Sequence, residues 1–243
     1  MKFLLREADG VVVASRGLLE FCRKYNKNEE RKCYVPNSVD LTEFNPRKYK
    51  RVNQSHDQIT FAWTGILYSF VNWKLLIKAF AEMKNTNTKL LIIGRGPAEK
   101  ILEKYIIRLG IKDRVKLMGW LPHYEVPKVL ASADVASIPS HNTLYDACKC
   151  PIKLSEYMAM ELPIVSTNIG EPAYMIKKIG CGLVTPVDYR RFADAMDIMA
   201  RDIEYWKRRG RLGRIYPEKF QNWDILSIKL VEFLYKVVQS GFE

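Results

Sequence analysis

The 243-residue sequence predicts an α/β fold, a doubly wound parallel sheet followed by a helical C-terminal segment. Three observations predict it. Short apolar runs alternate strictly with amphipathic stretches of helical spacing between residues 59 and 184, the pattern that buries helices on both faces of one sheet. The runs are continuously apolar, as strands covered on both sides must be. Several of them stop at a glycine or at Pro-Ser, which breaks regular structure.

In chain order, residues 11–14 (VVVA) form a strand that feeds a helix from Ser15 to Tyr25, with Ser15 as its cap. Cys33 to Val35 is a second strand, stopped by Pro36-Asn37. The segment from Asn45 to Asp57 carries Pro, Lys, Arg, Asn and Gln with little to bury, so it reads as a linker. A domain boundary is placed there, with residues 1–50 on one side and 51–243 on the other.

Ile59–Thr64 is the next strand and Gly65 ends it. The following helix spans about Asn72 to Lys84, with Trp73, Leu76, Ile77, Phe80 and Met83 on one face. Leu90–Ile93 is a strand broken by Gly94, and Pro97 starts a helix whose stripe is Ala98, Ile101, Leu102, Tyr105 and Leu109. Val115–Met118 ends at Gly119, and Val126–Ala131 is helical. Asp134–Ile138 is a strand ending at Pro139-Ser140, and a helix opens at Pro151, a residue whose missing N–H is not needed in a first turn. Strand Ile164–Ser166, a short helix after Pro172 and strand Gly182–Val184 complete the alternation. From Arg190 the chain is helical, with a break expected around Gly210–Pro217.

Thirty-nine Lys and Arg residues against 27 Asp and Glu give a net charge of +12. This favours phosphorylated ligands or anionic membrane surfaces. It does not specify nucleic acid, because no matching motif or interleaving of aromatic with basic residues accompanies it. Five cysteines, an odd number, and the lack of a signal-peptide pattern or an apolar run near 20 residues point to a reduced cytoplasmic protein. Cys148-x-Cys150 is too closely spaced and too poor in further ligands for a zinc site, and no metal is expected.

In an open parallel sheet, ligands sit beyond the carboxyl ends of the strands. The loops there are Gly65–Val71, Gly94–Pro97, Gly119–His123, Ser140–Pro151 and Asn168–Pro172. The helix opening at Pro151 presents first-turn amides, and Lys153 adds a full charge in the same turn, an arrangement that favours an anion such as phosphate. One turn on, Glu156 is placed to accept bonds from ribose or sugar hydroxyls. The alternatives remain a capped helix with a solvated Lys153 and Glu156, and ordinary glycine turns. Gly94-Arg95-Gly96-Pro97-Ala98-Glu99 fails as a dinucleotide fingerprint, since it lacks the third glycine and carries a proline at the helix start.

The ordered set of motifs resembles the group 1 retaining glycosyltransferases of the GT-B type, family four. The matching residues are Ala8–Ser15 (ADGVVVAS), Val35–Asp40 (VPNSVD), Gly65 with Leu75–Phe80, Leu90–Pro97 (LLIIGRGP), Arg114–Gly119, Ala133–Val135 with Pro139-Ser140, and Lys153–Ala159 (KLSEYMA) with Pro163–Val165. The resemblance implies two Rossmann-like lobes with a cleft between them and a nucleotide-sugar donor, UDP-, GDP- or ADP-linked, in the C-terminal lobe. It also implies transfer with retention, without a metal or other cofactor, to a sugar, lipid or protein acceptor. ADGVVVAS closes the N-terminal lobe in that family, so this chain is expected to be a donor lobe carrying only the tail of its acceptor-side partner lobe. Peripheral contact with the cytoplasmic membrane face is a further expectation.

Carried over by motif, Glu156 matches the second of the family's paired glutamates, the one that holds the ribose. The first falls on Cys148, and Asp146 takes its place only if the loop is shifted. The family's phosphate-binding Arg and Lys fall on Ile66 and Val71. The expected catalytic pair is therefore Asp146 and Glu156. Donor contacts are expected from Gly65, Gly94, Gly96, Gly119, Trp120, Ile152, Lys153, Leu154 and Glu156, with Lys153 and the Ile152–Lys153 amides on the phosphates and Gly119–Trp120 beside the base. The competing expectation is a degenerate lobe that serves as a binding or regulatory subunit.

Overall fold

The computed structural model describes residues 2–50 and 58–240, so the expected boundary after residue 50 lies at the edge of residues 51–57, outside the described ones. The chain opens with α1 (Lys2–Glu7), β1 (Val11–Val13), α2 (Arg16–Arg23) and β2 (Lys32–Tyr34). The two strands pair in parallel as a small sheet of their own. Ser15 caps α2 as its sequence position predicts, accepting the Leu18 N–H at 3.0 Å.

The larger sheet starts with β3 (Ile59–Thr64), followed by α3 (Trp73–Glu82), β4 (Thr88–Ile93), α4 (Glu99–Arg108), β5 (Val115–Gly119), α5 (Val126–Leu130) and β6 (Val135–Ile138). Then come α6 (Leu144–Cys148), α7 (Ile152–Ala159), β7 (Ile164–Thr167), α8 (Gly170–Ile179), β8 (Gly182–Thr185), α9 (Tyr189–Arg201), α10 (Ile203–Phe220) and α11 (Trp223–Ser240). Its six strands are parallel and ordered β5-β4-β3-β6-β7-β8. This doubly wound order reverses direction between β3 and β6, the place where such sheets open a crevice.

The continuous apolar runs follow from burial on both faces. Alternate strand residues point opposite ways. Phe61, Trp63, Leu90 and Ile92 pack against α3, α4 and α9, where Leu76, Phe80, Leu102, Phe192 and Met196 are fully buried. Ala62, Ile93, Ala136 and Ile138 meet α5, α7 and α8 on the other face, together with Val39 and Phe44 from the N-terminal segment.

Several expectations are corrected. In α4 the buried line is Ala98, Leu102 and Ile106, each four residues from the last, and Ile101 is 56% exposed on the flank. α7 begins at Ile152, one residue later than expected; Pro151 precedes it with an extended ψ of 129°. α8 starts at Gly170, before Pro172, and runs for ten residues, with the proline inside its first turn. The Ser140–Pro151 loop contains α6, whose single turn is too short to show a period in sequence.

The C-terminal helices break at Asp202 and at Gln221-Asn222, while α10 runs unbroken through Gly210–Pro217. The glycines there serve close packing: a Cβ on Gly210 would strike the Glu161 carbonyl and sit 2.7 Å from Pro163 N. Across Pro217 the helix is held by buried Arg214, which donates to the carbonyls of Ala159 at 2.6 Å and Phe44 at 2.8 Å. Beyond it, α11 buries Leu226 and Phe233 and leaves Ile228, Val231, Leu234, Tyr235 and Val238 exposed along another side.

Gly210→Ala tests this packing by the sign of its effect. Helix propensity alone favours alanine by about 1 kcal/mol, whereas crowding against Glu161 and Pro163 should destabilise by about 1–3 kcal/mol in denaturant titration.

Candidate functional site

A pocket of about 330 Å³ opens beyond the carboxyl ends of β3, β4 and β5. Thr64, Gly65 and Ile66 line it from β3, Ile93, Gly94 and Arg95 from β4, and Trp120, Leu121 and His123 from β5; Val126 and the first turns of α7 (Ile152, Lys153, Glu156) complete it.

Two glycines make the floor possible. Gly65 and Gly94 have φ of +143° and +133°, where side chains are strained. A Cβ on Gly94 would overlap the Gly65 carbonyl, and one on Gly65 would stand 2.7 Å from Lys153 Nζ. The Gly94 N–H is spent on the Gly119 carbonyl at 2.7 Å, which ties the β4 and β5 loops together.

The loop leading into α7 is held from outside the larger sheet. Ser15 Oγ donates to the Cys148 carbonyl at 2.6 Å, and Asn37 Nδ2 donates to the Cys150 carbonyl at 2.6 Å. The Asn37 carbonyl in turn accepts from Ser155 Oγ at 3.1 Å and Gln221 Nε2 at 2.7 Å. A further lock sits alongside, where Tyr34 OH donates to buried Glu171 at 2.7 Å and Arg16 pairs with the same carboxylate.

Lys153 does not extend into solvent. Its Nζ donates to the Thr64 carbonyl and lies 4.1 Å from the Trp63 ring centroid. Burial pulls its pKa down to about 7, against the opposing pull of the Glu156 carboxylate, and Lys149 adds to the lowering. Glu156 is 4% exposed, and its Oε1 accepts from His123 Nε2 at 2.9 Å. The pocket thus sets a lysine, a carboxylate and the first-turn amides of α7 side by side. The lysine and the amides favour an anionic group, and the carboxylate favours a hydroxyl-bearing one.

The structure brings Gly65, Gly94, Trp120, Ile152, Lys153 and Glu156 together in this pocket. Trp120 is 68% exposed at its edge. Gly119 supports it through its carbonyl, and Gly96 lies just beyond, accepting the Glu99 N–H at 3.0 Å at the entry to α4. The Leu154 side chain is in the core and its N–H is used by the Pro151 carbonyl at 3.0 Å.

Asp146 stands apart. It lines a separate cavity of about 60 Å³ with Val71, Lys149 and the other side of Lys153. Its Oδ2 accepts the His141 N–H at 2.6 Å and its Oδ1 pairs with Lys149. Of the two positions where the resemblance calls for cations, Ile66 reaches the pocket and Val71 packs behind it.

Sequence reasoning missed Arg95 and His123 as lining residues. Arg95 lay within the Gly94–Pro97 loop and His123 at the end of the Gly119–His123 loop, so both segments were legible and the side chains were not. Burial pushes the Cys150 thiol up to about 11, away from the thiolate a metal requires. Among the described residues no cluster of three or more His, Cys, Asp or Glu is placed to hold a metal, and no helix is long and apolar enough to cross a membrane.

An open, doubly wound parallel sheet with a pocket beyond the carboxyl ends of β3, β4 and β5 defines a Rossmann-like α/β lobe. The family profile described as glycosyl transferases group 1 matches residues 58–202, and the chain belongs to that family. Curated relatives include a component of the human phosphatidylinositol N-acetylglucosaminyltransferase, 32% identical over 59% of this chain and 28% of that protein. The putative colanic acid biosynthesis glycosyltransferase WcaL of Salmonella typhimurium is 31% identical over 69% of this chain and 40% of its own length. The MMP α-(1→4)-mannosyltransferase of Mycolicibacterium hassiacum is 26% identical over 94% of this chain and 54% of its own.

The chain therefore spans about half the length, or less, of these curated relatives. In fold it matches the sucrose-phosphate synthase of Thermosynechococcus elongatus with a TM-score of 0.81 at 21% identity, over 99% of this chain and 61% of that one. Anabaena HepE, solved with UDP and glucose, matches with a TM-score of 0.79 at 16% identity, over 96% and 65%. The fold is the parallel α/β fold of GT-B glycosyltransferases, matched over about two thirds of these solved chains.

The seat of Lys153 makes stability depend on pH. Between about pH 7 and its ordinary value of 10.5 the lysine is neutral when folded and protonated when unfolded. The unfolded chain then binds more protons, so stability rises with pH across this window, by up to about 1.4 kcal/mol per pH unit from this one group. Between about pH 7 and 8.5, below the range where the buried thiols titrate in the unfolded chain, denaturant midpoints should rise more steeply with pH for the parent chain than for Lys153→Met.

Proposed function

We propose that the pocket binds the nucleoside diphosphate of a nucleotide-sugar, and that the chain is the donor-binding lobe of a retaining, metal-independent glycosyltransferase. The observation that carries this reading is the adjacency of Lys153 and Glu156 on the first turns of α7, inside a pocket beyond the carboxyl ends of β3, β4 and β5. In this reading Glu156 takes the ribose hydroxyls, Lys153 and the Ile152–Lys153 amides take the phosphates, and the base lies against Trp120. HepE was solved with UDP, which supports a nucleotide of this class.

Charge accumulates on the leaving diphosphate as the glycosidic bond breaks, and fixed cations or amides aimed at it stabilise that state; one such donor is worth about 3–4 kcal/mol. Lys153 supplies the cation where Ile66 and Val71 do not. Its seat against Trp63 and Thr64 keeps it ready to become fully charged when an anion arrives. The acceptor, whether sugar, lipid or protein, would approach across an acceptor-side lobe beyond residues 1–50. A lipid acceptor accords with the relative named for phosphatidylinositol and with the +12 charge, which also suits peripheral contact with an anionic cytoplasmic membrane face.

A second reading, a lobe that binds without transferring, rests on sequence alone, on Cys148 at the position of the family's first glutamate and on Ile66 and Val71 at its cations, and the named relatives, which are transferases, do not favour it. Calorimetry with UDP-, GDP- and ADP-sugars tests the first reading. At least one should bind, and Glu156→Ala should weaken it by about 1.5–3 kcal/mol with little change in thermal stability. Lys153→Met should cost diphosphate affinity while leaving nucleoside affinity level, and adding Ile66→Arg should restore part of it. Lack of binding to all three classes would remove the donor-site reading.

The 243-residue chain on its own should bind donor without glycosylating an added acceptor, since a cleft between two lobes needs both walls. Sustained transfer by the purified chain would refute the two-lobe requirement.

A further inference from the structure

Glu156 is nearly buried and carries an unfilled capacity. An ionised carboxylate can accept about four hydrogen bonds. Here Oε1 has one, from His123, and Oε2 has none among the described residues. His123 joins Glu156 to the N-terminal segment. Its Nδ1 lies 3.9 Å from Glu43 Oε2, an ion pair only when the ring carries both protons and too long for a hydrogen bond, and its ring rests 5.1 Å from that of fully buried Phe44, tilted by 48°.

The tautomer follows from the partner. A carboxylate only accepts, so Nε2 carries the hydrogen on Glu156. With the ring resting against Phe44, Nε2–H is directed at Glu156 Oε1 and narrows the orientations that the carboxylate can take. A glutamate carboxylate, carried on three rotatable single bonds, would otherwise present its oxygens in more orientations, and binding would have to select one. Both His123 and Glu156 line the pocket, so the pair stands on the wall where a ligand would arrive.

We propose that His123, seated by Glu43 and Phe44, is a positioning residue that turns the Glu156 carboxylate to receive the ribose hydroxyls of the nucleotide. This rests on the donor-site reading given above and adds to it the group that orients the ribose contact. Glu43 and Phe44 belong to residues 1–50, so the N-terminal segment acts on nucleotide selection through this histidine.

The test compares ribonucleotides with their 2′-deoxy forms, using UDP and dUDP, GDP and dGDP, and ADP and dADP as calorimetric probes. The parent chain should prefer the ribo form of at least one pair by about 10-fold or more, the usual scale of one charge-assisted hydrogen bond. In His123→Ala that ratio should collapse to within about 3-fold, with the ribo form weakened and the deoxy form nearly unchanged, because the loss falls on the ribose contact alone. His123→Gln, whose amide nitrogen can replace Nε2, should recover most of the preference, and Glu43→Gln should lower it partially. The side chain of His123 is 58% exposed, so the substitutions are expected to leave the melting temperature within a few degrees.

A ratio unchanged in His123→Ala, an equal loss for both forms, or no recovery in His123→Gln would overturn the positioning role while leaving the donor site in place. A parent chain that binds ribo and deoxy forms equally would overturn it too. Absence of binding to all six probes would remove the donor-site reading together with this one.

Discussion

One asparagine sits where three parts of the chain meet the start of α7. The Asn37 side chain holds the Cys150 carbonyl, and its own carbonyl receives Ser155 and Gln221. The N-terminal segment, the site helix and the loop between α10 and α11 are thereby fixed to one peptide. The first turn of α7 carries Lys153 and Glu156, so their placement depends on polar bonds outside the strand ladder. Ser15 on Cys148 and the Arg16–Glu171–Tyr34 group act on the same stretch. Buried hydrogen bonds of this kind are costly to leave half-made, so the entry to α7 is specified as strictly as the core beneath it.

The fold was legible because its signal is repeated. Every strand of the larger sheet is a short apolar run with a helix after it, and burial on both faces by α3, α4 and α9 on one side and α5, α7 and α8 on the other leaves no room for another pattern. Errors fell where local rules compete with packing. Gly210 and Pro217 read as a break, yet α10 continues because a glycine is what lets it approach Glu161 and Pro163. Ile101 read as core because an apolar residue four before Tyr105 fits a helical stripe, but α4 turns Ile106 inward instead.

The site was legible in part for the same reason. Motif order located Lys153, Glu156 and the glycine loops, which are backbone features tied to strand ends. What a side chain does once it arrives was not encoded locally. Lys153 turns inward to Trp63 and Thr64, partners 90 and 89 residues away in sequence. His123 meets Glu156 across a separation of 33 residues and Glu43 across 80. Asp146, the acid nearest the expected position, is engaged by His141 and Lys149. Such pairings are set by the sheet's order and carry no short-range signature.

The exposed side of α11 has a consequence for how the chain behaves in a tube. Ile228, Val231, Leu234, Tyr235 and Val238 face water along one stripe, and wetting such a stripe favours association. A net charge of +12 opposes it by mutual repulsion. The two forces respond oppositely to salt, since the screening length falls from about 10 Å at 0.1 M to about 3 Å at 1 M while apolar attraction persists. Colloidal stability of this chain is therefore a matter of ionic strength: dilute buffers keep the molecules apart, and concentrated salt leaves the α11 stripes free to find one another.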